Sequence, residues 1–461
     1  MSIPSLHSLP SKTMTKTDLI IIGAGPGGYQ AAGLAAKAGL KVTLFEEGQV
    51  GGTCLNVGCI PTKAFARHAE ILISLKEAKL MGLDNLSFDF NYPRVVERKD
   101  EVIASLREGV ETLLSHPNIT VVRARASFKD VNTVTAGGED YTAGNIIIAT
   151  GSGSKTLRLD ECSGIPVLDS TNLLSATTLP QRLCVIGAGV IGMEFASILN
   201  VFGVEVTVVE FLKECLPALD SDIAKRLRKS LEKRGITFHM QSAVKAITNE
   251  GVVFENKKGK TEVVATDAVL MAVGRYPNTE GLNLKAAGVE VMRNGAVPVN
   301  PATFKVQNTD NIFAIGDVNG LQMLAHAAEM QAQHVVNVLT GKADDINFQI
   351  MPAAIFTLPE AACVGLSEDQ CKDQGTDYIC HKAFWRANGK AQAMNETEGM
   401  LKLLTDSEGQ IIGCHAFGAH AADLIQEVAA LMCRNTNIYQ LADIIHIHPT
   451  LSEIIKSTAE S

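Results

Sequence analysis

Two cysteines five positions apart, Cys54 and Cys59, lie in the run Gly51-Gly52-Thr53-Cys54-Leu55-Asn56-Val57-Gly58-Cys59-Ile60-Pro61-Thr62-Lys63. A glycine-rich turn followed by an alanine-rich segment at 64–69 puts both thiols near the N-terminal end of a helix. There the unpaired N–H groups and the macrodipole favour a thiolate, the form that attacks disulfides and donates electron density. Two thiols at this spacing are either buried structural residues or a pair that cycles between dithiol and disulfide. The ten cysteines are otherwise scattered, and no secretory segment precedes them. The expected compartment is therefore reducing and cytoplasmic, where a disulfide is catalytic. A second cluster closes the chain, His446-Ile447-His448-Pro449-Thr450-Leu451-Ser452-Glu453. A carboxylate that holds a histidine orients the ring and raises its pKa, which makes an acid–base pair; the alternative is a solvated loop. No third ligand stands at useful spacing from His446 and His448, so no metal is expected.

These groups need a scaffold, and the chain carries one twice. Residues 19–22 are a short apolar run, followed by Gly23-Ala24-Gly25-Pro26-Gly27-Gly28, an alanine-rich stretch and a second apolar run ending in Glu46. Strand, Gly-x-Gly-x-x-Gly, helix, strand and acid make a dinucleotide-binding βαβ unit. The glycines form the tight turn, the helix N-terminus holds a pyrophosphate, and the acid accepts ribose hydroxyls. The pattern returns at an offset of 164. Gly187, Gly189, Gly192, Gly203, Thr207 and Glu210 fall on Gly23, Gly25, Gly28, Gly39, Thr43 and Glu46. The chain is internally duplicated and should have two dinucleotide sites.

Between the repeats, 71–81 and 95–114 read as helices and 119–148 as short strands. Apolar strands before Thr150-Gly151 and before Gly274 close the two nucleotide domains. A third, 311–317, ends in Asp317, an acid placed to meet a ribityl or ribose hydroxyl. Beyond residue 345 the texture changes to alternating strand-like pieces and a helix over 421–433. The expected fold is α/β: two Rossmann-like domains plus a C-terminal α+β domain. The divisions are a flexible leader at 1–17, nucleotide domains at 18–150 and 151–277, a central segment at 278–345 and a last domain at 346–461. A net charge of −9 argues against nucleic acid or an anionic membrane as partner. No apolar stretch reaches the ~18 residues of a membrane span.

Taken together, Cys54-x4-Cys59, the duplicated βαβ units and the His448–Glu453 run resemble the pyridine nucleotide–disulfide oxidoreductases over residues 18–453. Residues 51–61 and 448–453 are similar, without change, to the signatures of the branch that acts on dihydrolipoamide. The resemblance implies a tightly bound FAD in the first site, with Glu46 on its ribose and Asp317 near the ribityl chain. It implies Lys63 beside the flavin, paired with Glu194, and places Thr53, Thr150, Gly151, Gly274 and Ala325 among the cofactor-binding residues. The second site would take NAD. Glu210 would repel a 2′-phosphate, and no arginine stands in Phe211-Leu212-Lys213. Cys54 would exchange with substrate, Cys59 would face the flavin, and His448, held by Glu453, would be the base, supplied across a homodimer.

The implied activity is oxidation of protein-bound dihydrolipoamide with reduction of NAD. The implied partners are lipoyl-bearing proteins of 2-oxo acid dehydrogenase complexes or the glycine cleavage system. Thr62, Ala327 and Asn388-Gly389-Lys390-Ala391 depart from the commonest family pattern, away from the redox centre. A glutathione-type reductase would use NADP, and a mercuric-type reductase would carry a cysteine pair after Cys433, where none stands. A flavin-bearing scaffold without catalysis would not need Cys54, Cys59, His448 and Glu453 together.

Overall fold

The computed structural model describes residues 14–159 and 164–461, so residues 1–13 of the expected leader lie outside it. The chain forms two compact units. One comprises residues up to Asn56, Ile103–Gly153 and Arg275–Ile346; the other comprises Val57–Val102, Ser154–Gly274 and Asn347–Ser461.

In the first unit the strands are β1 (Met14–Ile22), β2 (Val42–Phe45), β3 (Ile119–Val122), β4 (Ala126–Phe128), β5 (Thr133–Ala136) and β6 (Glu139–Ile148). Leu19–Ile22 of β1 are buried, as a central parallel strand covered on both faces requires. Its parallel neighbours are β2, with Ile20 opposite Thr43, and β6, with Ile20 opposite Ile146. β3 lies outside β2, and Ile312–Ala314 lies beside the second half of β6. β4 and β5 make an antiparallel excursion that returns along the first half of β6. The strand corrects one expectation: Met14–Thr17 are not leader but pair with Asp140–Ala143. The Thr17 hydroxyl also donates to the Lys41 carbonyl at 2.7 Å. α1 (Pro26–Lys37) connects β1 to β2. It can settle on the strand end only because residue 28 is glycine; a Cβ there would lie 1.8 Å from the Gly23 oxygen.

The second unit repeats this design. Its parallel strands run in the order Thr237–His239, Glu205–Val209, Arg182–Ile186, Ala268–Met271, Val167–Leu168. Helix Val190–Val201 stands where α1 stands in the first unit. A three-stranded antiparallel excursion, Ala243–Thr248, Gly251–Glu255 and Thr261–Val264, again precedes the fourth parallel strand. The duplication thus extends from six matched residues to four parallel strands in the same order, whereas the antiparallel excursion is part of the sheet in the first unit and a separate sheet in the second.

Residues 347–461 add an antiparallel sheet in the order Ala353–Ile355, Ala361–Gly365, Ile411–Phe417, Met400–Thr405, Ile379–Phe384. Helix Ala421–Met432 covers it with Leu424, Ile425 and Val428. Every residue of Met400–Thr405 is buried, Lys402 among them. Its ammonium bonds Asp220 Oδ1 at 2.6 Å and the Glu368 carboxylate. The Asp220 N–H donates to His415 Nδ1 at 3.1 Å. A buried cation is tolerable only when paired in this way.

Candidate active site

The cysteine segment becomes helical earlier than its glycines suggest. α2 (Gly52–Val57) and α3 (Cys59–Lys76) are separated by Gly58 alone. Residues 71–81 are therefore not one helix: α3 stops at Lys76, and a single 3₁₀ turn ends at Gly82, in the left-handed region. Gly51 and Gly52 enter α2 at φ +98° and +59°. The Gly51 N–H donates to the Ala24 carbonyl at 2.8 Å. A Cβ on Gly52 would stand 2.6 Å from Gly25 Cα, so the cysteine segment lies against the first glycine turn. Asn56 ties α2 down. Its Nδ2 donates to the carbonyls of Val50 and Gly52 at 3.0 and 2.9 Å, and its Oδ1 accepts from Arg107 Nε and Nη2 at 3.0 and 2.7 Å. Six residues do not hold a helix on local propensity, so tertiary bonds of this kind do.

Cys54 is the third residue of α2 and half-buried; Cys59 opens α3 and is exposed. Tyr29 of α1 donates to Glu329 Oε1 at 3.4 Å. Burial, reinforced by Glu329 and Cys54, pushes its hydroxyl up to about 12. The other cysteines suit no thiolate chemistry where they are buried: burial pushes Cys184 up to about 12 and Cys363 up to about 11.

The two glycine turns carry the same bonds. Glu46 accepts from the N–H groups of Ala24 at 2.7 Å and Gly48 at 2.8 Å. Glu210 accepts from those of Ala188 and Leu212, both at 2.6 Å. Each acid therefore braces the turn, while its oxygens keep lone pairs for a ribose hydroxyl. Gly25 and Gly189 are the residues that precede the two helices, with φ near −74°, open to any side chain. A Cβ would meet nothing nearer than 3.9 Å at Gly25 and nothing within 4 Å at Gly189. Among the described residues nothing excludes a side chain at either place; a pyrophosphate docked on the helix N-terminus would. Both turns fit a dinucleotide.

In the first unit Asp317 Oδ2 accepts from Ser152 Oγ at 2.5 Å. Arg275 donates through Nε to that hydroxyl at 2.7 Å and through Nη2 to the Ser152 carbonyl at 2.6 Å. The Thr150 hydroxyl donates to the Asn278 carbonyl at 2.7 Å, Gly151 follows it, and Ala325 is the first residue of helix Ala325–Leu339. In the second unit Lys63 Nζ bonds both carboxylate oxygens of Glu194 at 2.9 Å. Glu194 is buried and also accepts from the Phe356 N–H at 2.8 Å, and the Lys63 ammonium lies 4.5 Å from the Phe356 ring centre. Gly274, at φ +108°, accepts from the Lys155 N–H through its carbonyl. Thr53 is exposed in α2. Ser152, Arg275, Arg107 and Tyr29 escaped the sequence reading, since nothing marks a residue whose partner lies far along the chain.

His448 Nδ1 stands 2.8 Å from Glu453 Oε1, and Glu453 Oε2 accepts from the Thr450 N–H at 2.8 Å. These bonds hold the Glu453 carboxyl below its usual range, the Thr450 N–H contributing most. With Nδ1–H committed to the carboxylate, Nε2 is the free basic nitrogen. The imidazole is 78% exposed in the single chain. His446 is engaged elsewhere, with Nε2 2.9 Å from Glu427.

Residues 17–332 match the family model described as pyridine nucleotide-disulphide oxidoreductase, and residues 351–459 match the dimerisation domain of that family. The chain is 38% identical over 454 residues to a dihydrolipoyl dehydrogenase of Chlamydia muridarum, covering 96% of each. It is 36% identical over 457 residues to leghemoglobin reductase of Glycine max, covering 96% of this chain and 87% of that protein. Among solved structures, the HOCl-induced flavoprotein disulfide reductase RclA from Escherichia coli superposes with a TM-score of 0.85 at 30% identity, covering 96% of this chain and 99% of that one. No helix among the described residues is long and apolar enough to cross a membrane. Duplicated glycine turns braced by acids, a cysteine pair in the first turns of consecutive helices and a matched dimerisation domain agree: the chain belongs to the pyridine nucleotide–disulphide oxidoreductases.

Proposed function

We propose that the enzyme is a dihydrolipoyl dehydrogenase: it oxidises protein-bound dihydrolipoamide to lipoamide and reduces NAD, working as a homodimer in the cytoplasm. The observation that carries this reading is the His448–Glu453 pair, a carboxylate-fixed imidazole in a chain whose cysteine pair needs a dithiol deprotonated. Gly23, Gly25, Gly28, Glu46, Thr53, Thr150, Gly151, Asp317 and Ala325 hold FAD. Gly187, Gly189, Gly192, Glu210 and Gly274 hold NAD. FAD, when bound, takes up the electron pair of the dithiol and passes it to NAD as a hydride. The Lys63–Glu194 pair fixes an ammonium for the flavin side of the site.

The remaining steps belong to the chain. His448 Nε2 takes the proton of one substrate thiol, and Glu453 stabilises the resulting imidazolium. The substrate thiolate attacks Cys54 Sγ of the Cys54–Cys59 disulfide; a mixed disulfide forms and Cys59 leaves as thiolate. The second substrate thiolate displaces Cys54, so the substrate departs as a cyclic disulfide and both cysteines are reduced. The two protons released reside on His448 and Cys54. Lipoyl-bearing proteins of 2-oxo acid dehydrogenase complexes or the glycine cleavage system deliver the substrate.

Mixed dimers test this reading. Cys54→Ala homodimers are inactive and His448→Ala homodimers nearly so. If each site takes Cys54 from one subunit and His448 from the other, reassociating the two variants leaves one intact site in each heterodimer. Roughly half the molecules are then heterodimers, and about a quarter of wild-type activity returns. Subunit exchange is verified with differently tagged chains. A mixture that exchanges yet stays inactive removes His448 as the trans-acting base.

A further inference from the structure

Cys54 rides on a helix too short to hold itself, and the clamp on that helix comes from outside both glycine turns. We propose that Arg107 is a positioning residue for the thiol chemistry, acting through Asn56 to fix α2 and the Cys54 side chain it carries. The inference rests on the assignment of Cys54 as the exchanging thiol.

The geometry of Asn56 allows one reading. Its Nδ2 faces two carbonyls, Val50 and Gly52, and its Oδ1 faces two guanidinium N–H groups. A flipped amide would set donors against donors and acceptors against acceptors. Asparagine inside a helix is otherwise unfavourable, because its side chain competes for nearby backbone. Here that competition is put to use: the bond to Gly52 closes α2 on its own first residue, and the bond to Val50 ties it to the preceding turn. Arg107 spends two prongs of its rigid fork on one oxygen, a geometry that lysine cannot copy. Both partners are half-buried, so a lost prong leaves the amide oxygen poorly paired. The helix so held is entered through two glycines of positive φ and carries Cys54 two residues before Asn56. Disulfide exchange needs the sulfur to stay in line while its partner changes from an enzyme thiol to a substrate thiol. A displacement of about 1 Å in such a step costs on the order of 100-fold.

The test uses full-length holoenzyme of wild type, Arg107→Met, Arg107→Lys, Asn56→Ala and the Asn56→Ala/Arg107→Met double variant. Each is reduced with dithiothreitol, desalted without oxygen and treated with iodoacetamide between about pH 5 and 9. Modification of Cys54 is followed by peptide mass spectrometry. Turnover of NADH with ferricyanide, which bypasses the thiols, reports whether the cofactor sites are intact. For Arg107→Met, alkylation of Cys54 at neutral pH slows by about five-fold or more and its pH midpoint rises, while ferricyanide turnover stays within about two-fold. Arg107→Lys falls between, and the double variant is no worse than the poorer single one. Alkylation of Arg107→Met at the wild-type rate and midpoint overturns the proposal, as do fully additive effects in the double variant. If Arg107→Met does not accumulate as holoenzyme, Arg107→Gln, which replaces the guanidinium fork with a shorter neutral amide, is read by the same criteria. Wild-type enzyme that fails to oxidise dihydrolipoamide would remove the proposed function, and the alkylation comparison would still decide the clamp.

Discussion

The two glycine turns begin alike and end differently. In each, an acid at the end of the second strand accepts two backbone N–H groups. In each, the chain then swings back to donate to the same turn, from Gly51 to the Ala24 carbonyl and from Leu216 to the Ala188 carbonyl. Past that bond they part. The first leads straight into α2, with Gly52 pressed on Gly25 and Cys54 two residues on. The second leads to Asp220, which caps helix Ser221–Lys233 and is anchored by Lys402. A Cβ on Gly189 would meet nothing within 4 Å among the described residues, and Phe211, beside Glu210, is 72% exposed. On the proposed assignment of the two sites, one cradle, copied, would serve two residence times. Closed by the cysteine segment it suits a cofactor that stays; left open it suits one that leaves every turnover.

The largest effect that would break this contrast concerns the thiols. Cys59→Ser should lower dihydrolipoamide oxidation by at least about 10³-fold while FAD stays bound and ferricyanide reduction by NADH survives. Stopped-flow and absorbance measurements check it, and a variant that turns over at the wild-type rate would detach α2 and α3 from the chemistry. Next comes the pair Gly189→Ala and Gly52→Ala. The first methyl group points into open space, so thermal stability stays level while KM for NAD rises about 10-fold or more. The second collides with Gly25 Cα, so it should lower the melting temperature and the FAD retained after gel filtration, with KM for NAD little changed. Equal behaviour of the two variants would erase the difference between the turns.

The smallest effect concerns the anchor of the second turn. Burial pushes His415 down to about 4. Its Nδ1 can accept from Asp220 only while the ring is neutral. A histidine depressed in the folded state from about 6.5 destabilises it progressively as pH falls from 6.5 towards 4, because the unfolded chain binds the proton first. The loss is complete below about pH 4. His415→Asn, which keeps an acceptor and cannot titrate, should flatten this part of the stability–pH profile. Parallel profiles for the two proteins would disprove the assignment.

How much of this the sequence revealed follows the distance between partners. The glycine turns and their acids lie within 24 residues of each other, and their types and spacing announce the βαβ unit, the duplication and the two sites. The family signatures at 51–61 and 448–453 are contiguous and were equally plain. α2 was not, because two glycines read as a turn until Asn56 supplies the bonds that make them a helix entry. Arg107 lies 51 residues from Asn56 and Arg275 lies 123 from Ser152, so only the fold brings each pair together. Met14–Thr17 were hidden for another reason. Thr15, Lys16 and Thr17 are polar and look like leader, and the strand they form is held through backbone pairing with β6.

Lys402, Asp220 and Glu368 have a bearing on how this protein can be recombined with its relatives. Each charge is admissible only in the presence of the others: losing the lysine strands two carboxylates, and losing Asp220 both uncaps a helix and leaves the ammonium short of a partner. The three positions lie 148 and 34 residues apart along the chain, so a crossover between 220 and 402 separates members that have to travel together. Chimaeras joined inside that interval to a parent lacking the trio should fold poorly even where every surface loop matches. Those joined before residue 220 or after residue 402 carry the set intact.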